Sequence, residues 1–364
     1  MRILHVVTLV SPDGAFGGPV TVAFNQAAEL ARRGHDVTVC GGTRGYEAIP
    51  TERDGVALQL FPVVQLPRLG FAGMTSPGLV RWVRANVTDF DVVHVHLARD
   101  LVTMPMALMA VLRAEKVVVQ THGMVVSDTR LSTKVFDRLL TRPVFARVAA
   151  ALYLNDRELK SLRNIGGHGL SCVELINGVK PYETRDPAAE TSGEVVFVGR
   201  LHRRKNAPMF VAAAHLLIER GSAAHFTLVG PDEGDGAAVS AAIDGEQQIS
   251  WIGALGPNDV VDLLRKAAIY VLPAVDEPFP MTVLEAMSVG LPVVITTSCG
   301  LADFVTEHGA GLVVDATAAD IAGAIDELLA NPDRAQAMAA RGRQAVRSHA
   351  SVDAVVTKLV AYYQ

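Results

Sequence analysis

Cysteine is scarce in this chain: 364 residues contain three, Cys40, Cys172 and Cys299. Their number is odd and their positions follow no metal-binding spacing. Neither a disulfide framework nor a zinc cluster is expected, and the usage suits a reducing cytoplasm. No apolar run approaches the roughly 20 residues that cross a membrane. The opening Met1-Arg-Ile-Leu-His-Val-Val-Thr-Leu-Val resembles a signal peptide at first sight. Asp13, Gly14, Gly17 and Gly18 follow it without a small-residue cleavage pattern, so a first core strand is expected instead. Neither GxGxxG nor GxxxxGKS/T occurs, which leaves dinucleotide and P-loop readings without support.

What is present is an ordinary soluble composition, 50% apolar and 20% charged, on a chain long enough for two domains with large cores. The net charge of −5 hides an asymmetry. Residues 1–180 carry 20 Lys and Arg against 15 Asp and Glu, and the remainder carries 13 against 23. Within the basic half, Arg130, Lys134, Arg138, Arg142 and Arg147 recur every four or five residues along an expected helix. The pattern reads either as a solvated helix face or as a basic face toward anionic lipid or a polyphosphate acceptor.

Valine-rich runs at 3–8, 35–40, 56–61, 91–96, 116–121, 150–154 and 172–176 alternate with helical patterns, which predicts a parallel sheet covered on both faces. The first run gives way to a glycine loop, Gly14 to Pro19, and then to a helix expected from Thr21 to Arg33. A break is expected at Asn177-Gly178-Val179, and a second alternation runs from Val195 to Val314. The expected organisation is a first domain over 1–178, a linker over 179–193, a second domain over 194–347, and a C-terminal helix over 348–364 that can pack back on the first domain. Two such α/β domains facing each other would bind a ligand in the cleft outside the carboxyl ends of their strands.

The stretch Pro273–Pro292, PAVDEPFPMTVLEAMSVGLP, carries the most chemistry. It leaves an apolar strand, crosses a loop containing Pro278 and Pro280, and opens a helix near Thr282. The prolines exclude a single helix over Glu277 and Glu285, which places Glu277 in the loop and Glu285 in the helix's first turn. Amides at a helix start attract phosphate, and carboxylates on either side can take hydroxyls of a polyol. The same letters fit a capping box, Thr282-x-x-Glu285, and a solvated loop acid at Glu277.

Loop, carboxylate pair, helix and following strand together resemble the Glu-x7-Glu signature of the retaining GT-B glycosyltransferases, family GT4 (glycosyl transferases group 1). One residue departs from that pattern: Pro280 stands where the family usually has Gly, which removes one backbone donor. Gly199-Arg200-Leu201, followed by Lys205, resembles the family's basic motif at the start of the second domain. Asn177-Gly178-Val179 resembles its hinge, with Lys180 replacing the usual acid. The resemblance is vaguest between Glu47 and Asp89, where acceptor recognition normally lies.

The resemblance implies an α/β GT-B fold of two Rossmann-like, doubly wound domains across an interdomain cleft, and a hexosyl transfer from a UDP- or GDP-linked sugar. It assigns Arg200 and Lys205 to the diphosphate, Glu277 to hydroxyls of the donor sugar and Glu285 to the ribose. The Gly17-Gly18 turn lies over the diphosphate, and Phe279, Pro280, Met281 and Thr282 border the donor. His122, in Gln120-Thr121-His122-Gly123, sits against the donor sugar; on its own it would read as a satisfied core histidine. His94 and His96 share a strand face as a metal pair might, but no third ligand is evident, so no metal and no cofactor is expected. The acceptor the resemblance implies is a carbohydrate, lipid-linked or small-molecule hydroxyl. A peripheral contact with the inner face of the membrane is compatible with this, and no nucleic-acid partner is expected. A sugar-nucleotide epimerase of the same fold and a non-catalytic sugar-nucleotide sensor are the alternatives, with a dehydrogenase further off.

Overall fold

A computed structural model of the chain describes residues 1–12, 17–67, 70–185 and 193–364. The chain divides into two compact units, Met1–Gly178 together with Val352–Gln364, and Val179–Ser351.

The strands of the first unit are β1 (Arg2–Val10), β2 (Asp36–Thr43), β3 (Glu52–Arg53), β4 (Val56–Pro62), β5 (Val64–Gln65), β6 (Met74–Thr75), β7 (Val92–His96), β8 (Lys116–Gln120), β9 (Ala150–Tyr153) and β10 (Cys172–Glu174). Among the described residues, eight of them form one sheet in the order β10-β9-β8-β7-β1-β2-β4-β3, and β5 pairs with β6 apart from it. The sheet grows from β1 through β2 and β4 to one side and through β7 to β10 on the other, so its direction of growth reverses between β1 and β7. Side chains alternate as the pleat demands. Leu4, Val6, Val93 and Val95 line one apolar face, while Ile3, Val7 and Val92 line the other.

The all-parallel expectation needs one correction. Edge strand β3 pairs antiparallel with β4 across Asp54-Gly55, whose φ values of 53° and 76° suit a tight hairpin turn. The first helix runs Gly17–Arg32, starting four positions before the expected Thr21, because Pro19 is tolerated in a first helical turn. The rest of the expected glycine loop, residues 13–16, lies outside the described residues. Against this helix packs the last one, Val352–Tyr363. Its Val355, Val356 and Leu359 join Ala23, Ala27 and Leu30 in one cluster, and Arg33 Nη2 donates to Asp353 Oδ1 at 2.7 Å.

In the second unit β11 (Glu194–Val198), β12 (His225–Val229), β13 (Ile249–Trp251), β14 (Ile269–Leu272), β15 (Val293–Thr296) and β16 (Gly311–Val314) form a fully parallel sheet. Its order is β13-β12-β11-β14-β15-β16, which is the dinucleotide-fold order with its switch point between β11 and β14. Gly230, just past the end of β12, must be glycine: at φ 145°, a Cβ would sit 2.0 Å from the carbonyl oxygen of Gly199, just past β11.

Residues 179–185, read from the sequence as linker, belong to this unit and are anchored in it at both ends, by the buried Val179 and Arg185. Arg185 is buried, and its backbone N–H donates to Val289 O at 2.8 Å. The remainder of that stretch, 186–192, lies outside the described residues. Helix Pro332–Ala345 continues through a π-turn, Val346–Ala350, so the last helix begins at Val352 rather than at 348.

Candidate functional site

Two loops meet at the switch point of the second unit, one leaving β11 and one leaving β14. Two hydrogen bonds tie them together: Val275 N donates to Arg204 O at 2.7 Å, and the Arg204 side chain donates from Nη2 to Asp276 O at 3.0 Å. The tie places Lys205 Nζ 3.3 Å from Glu277 Oε1, with side chains only 13% and 16% exposed. Burial lowers the Lys205 pKa and the Glu277 charge opposes that shift. Glu285, on the next helix, has its pKa raised by burial, and the Lys205 charge works in the opposite direction. Cys299 sits near the same pair, its thiol pushed up to about 11 by burial.

The helix after β14 spans Met281–Val289, and Pro280 is its N-cap. Glu285 therefore lies in the second turn, not the first. The capping box does not form either: no side chain caps this helix, and the Thr282 hydroxyl instead lies 2.7 Å from Tyr270 Oη. Helix geometry leaves the Met281 and Thr282 N–H groups outside the helix's own ladder, at its positive end. Pro280, at φ −77° and ψ 107°, has an extended conformation open to any residue, so the departure from Gly costs a donor and no backbone strain. The Phe279 side chain is buried beneath the loop. Arg200 is engaged elsewhere: its Nη1 donates to both oxygens of Glu233, at 3.0 and 2.8 Å, on the exposed rim.

In the first unit the end of β8 leads into His122, held at φ 49°, and Gly123 at φ 74°. Glu158 holds this turn in place. Its Oε1 accepts from the Thr121 hydroxyl and from Gly123 N at 2.6 Å, and its Oε2 accepts from Leu154 N at 2.7 Å. The His122 ring belongs to a chain of imidazoles. Its Nδ1 lies 3.1 Å from Asn177 Oδ1, which also accepts from Gln120 Nε2 at 3.2 Å. An amide oxygen only accepts, so His122 Nδ1 carries the proton. His122 Nε2 then accepts from His96 Nδ1 at 2.8 Å, and His96 Nε2 accepts from His5 Nδ1 at 2.9 Å. Burial lowers the pKa of His122 to about 4 and of His5 to about 3, and carries His94 and His96 well below the usual imidazole range.

Residues 182–345 match the family Glycosyl transferases group 1, and residues 16–171 match Glycosyltransferase Family 4. The chain belongs to the family 4 glycosyltransferases. A GDP-mannose-dependent monoacylated alpha-(1-6)-phosphatidylinositol monomannoside mannosyltransferase from Corynebacterium glutamicum is 27% identical over 71% of this chain and 74% of its own length. A D-inositol 3-phosphate glycosyltransferase from Nocardia farcinica is 25% identical over 93% of this chain and 83% of its own. Among solved structures, Anabaena HepE in complex with UDP and glucose superposes with a TM-score of 0.77 at 18% identity, over 99% of this chain and 98% of that one. Sucrose-phosphate synthase from Thermosynechococcus elongatus superposes with a TM-score of 0.78 at 18% identity, over 100% and 98%. These similarities establish the GT-B fold and a glycosyltransferase.

Of the residues singled out in this glycosyltransferase's sequence, Lys205, Glu277, Glu285 and the 279–282 segment converge at one sheet edge, while Arg200 turns to Glu233. Gly17, Gly18 and His122 belong to the first unit. Gly17 and Gly18 open a helix rather than forming a turn, which leaves their N–H groups at its start. The expectation that His94 and His96 lack a third imidazole partner is overturned. His5 stands beside them in register on β1, and the ligand atoms of the three lie within 4.8 Å of one another. Sequence reading missed Glu158 and Glu233 altogether and took Asn177 only as part of a hinge. Each acts through a partner more than 30 positions away.

Proposed function

We propose that this glycosyltransferase moves a hexosyl unit from a UDP- or GDP-linked sugar to an acceptor hydroxyl, with retention of configuration and without a metal. The observation that carries the reading is the buried Lys205–Glu277 pair at the switch point of a dinucleotide-type sheet. A diphosphate arriving there meets an ammonium already stripped of water, the amides that open helix Met281–Val289, and Arg200 one loop away. Fixed positive charge of this kind stabilises the anion that leaves as the glycosidic bond breaks. Glu277 then takes hydroxyls of the donor sugar, Glu285 those of the ribose, and His122 helps position the sugar. The acceptor proton passes to an oxygen of the departing diphosphate. The relatives' names, a GDP-mannose-dependent mannosyltransferase and an inositol phosphate glycosyltransferase, support a polyol or glycolipid acceptor. The structure with UDP and glucose supports a nucleotide-linked donor.

The test is a donor screen with UDP- and GDP-sugars in EDTA, read as release of nucleoside diphosphate, with the product's anomeric configuration assigned by NMR. Turnover that survives EDTA, retains configuration and falls in Lys205→Ala supports the reading. Inversion, dependence on added Mg²⁺, or a fully active Lys205→Ala enzyme would overturn it.

A further inference from the structure

The segment after the His122 turn is unlike the other helices of the first unit. Leu131–Phe136, the π-turn Asp137–Thr141 and Arg142–Phe145 follow one another without a break. The run is anchored from below by Val144 and Phe145, which belong to the core, and by the buried Asp137. Its outer side is apolar where solvent should be. Leu131 is 77% exposed, Val135 48% and Leu139 64%, and their spacing of four places them in a row. Val126, in the loop leading in, is exposed as well. A row of large aliphatic side chains facing water is costly unless something covers it.

The charge beside the row says what covers it. Lys134, Arg138 and Arg142 line a groove of about 400 Å³ along the same segment. The two acids of that groove are already neutralised: Asp128 accepts from Arg130 Nε at 2.6 Å, and Asp137 accepts from Arg99 Nε and Nη2 at 2.8 Å. Arg142 uses its Nε on Ile165 O at 3.0 Å, and among the described residues neither Lys134 nor Arg138 has an ionic partner. Unspent cations in a groove beside an aliphatic row match an interface that is anionic at its surface and hydrocarbon beneath.

We propose that this segment is a lipid-docking face. Leu131, Val135 and Leu139 enter the boundary between headgroups and acyl chains, and Lys134, Arg138 and Arg142 hold the phosphates of anionic lipids. The inference extends the transfer reading by bringing the enzyme to a membrane-borne acceptor, yet docking itself needs no residue of the transfer site.

Flotation of the whole chain with phosphatidylglycerol–phosphatidylcholine vesicles tests it, with pure phosphatidylcholine vesicles alongside. Binding is expected to the anionic vesicles, weakening as salt rises past the range where the Debye length falls below about 10 Å. Leu131→Gln/Leu139→Gln should lower the partition roughly tenfold or more. Lys134→Gln/Arg138→Gln should lower it by on the order of fivefold per charge. Both variants should keep the thermal shift produced by a nucleotide-sugar donor without vesicles, which shows that they fold and separates docking from transfer. Ile252→Gln, an exposed aliphatic position of the second unit, should bind as the parent does. The proposal fails if the leucine variant floats like the parent, if zwitterionic vesicles bind as well as anionic ones, or if Ile252→Gln loses as much. It also fails if the row proves to mediate concentration-dependent self-association, seen by sedimentation and abolished by the leucine variant, with no vesicle binding.

Discussion

Lys205 Nζ stands 3.3 Å from Glu277 Oε1 although the two residues are 72 positions apart, and water reaches little of either side chain. A partly desolvated ion pair adds little to stability, because desolvation consumes most of the attraction. In the function proposed above, its part is to hold a cation ready for an incoming anion. Lys205→Ala strands the largely buried Glu277 carboxylate, so a lower urea midpoint is expected; below that midpoint, with the folded spectrum kept by circular dichroism, kcat should still fall by about 10²-fold or more. Glu277→Gln, which leaves the ammonium without its counter-charge, should cost turnover with a smaller effect on binding of the free nucleoside diphosphate. Equal loss of nucleoside diphosphate affinity in both variants would sink this division of labour.

Arg200 is held by Glu233 on a surface where ion pairs are worth at most about 1 kcal/mol. A diphosphate can take the guanidinium away at that cost. Glu233→Gln removes the competitor, so UDP or GDP should bind up to about fivefold more tightly by calorimetry. Weaker binding in Glu233→Gln would show that the acid supports the site rather than competing with the ligand.

Much of this architecture was legible because strand signals are local. The run Glu194-Val-Val-Phe-Val198 reads as a buried parallel strand on its own letters, and so does Asp91-Val-Val-His-Val-His96. Punctuation was harder to read. Gly17-Gly18-Pro19 looked like loop and begins a helix, and the Asp54-Gly55 turn, a strong hairpin signal, passed unnoticed between two polar residues and a strand. Thr282-x-x-Glu285 looked like a cap, but Pro280 starts the helix two residues earlier and Tyr270 claims the threonine hydroxyl. Glu158 could not be found at all and Asn177 was legible only as part of a hinge, because their roles come from partners that only the folded sheet brings near.

The histidine chain makes stability depend on pH. Each ring is neutral in the folded protein because burial has lowered its pKa, while the unfolded chain takes up protons near 6.5. The unfolded state thus binds more protons below that value, and stability must fall as pH falls from about 6.5 toward 4. His5, with its folded pKa of about 3, contributes roughly 2 kcal/mol of loss at pH 5 by itself. Urea midpoints should drop steeply between pH 7 and pH 5, and His5→Gln should flatten the curve. A midpoint independent of pH across that interval would mean the rings are charged or solvated in the folded state.

Glu158 is 3% exposed and accepts three hydrogen bonds, two of them from the turn that carries His122. Burial raises its pKa and these bonds oppose the rise. Glu158→Ala leaves a hydroxyl and two N–H groups buried without acceptors, at about 1–3 kcal/mol for each group that water cannot reach. Loss of several kcal/mol by urea denaturation is therefore expected. Glu158→Gln keeps one acceptor oxygen but turns an NH₂ group toward donors, so it should lose less stability while still loosening the turn. Because His122 holds a left-handed conformation that an unsupported residue abandons, transfer should fall in Glu158→Gln beyond what its stability loss explains. Assaying both variants well below their melting temperatures separates the two effects. If Glu158→Gln is destabilised yet turns over like the parent, the carboxylate only holds the sheet edge together and His122 does not depend on it.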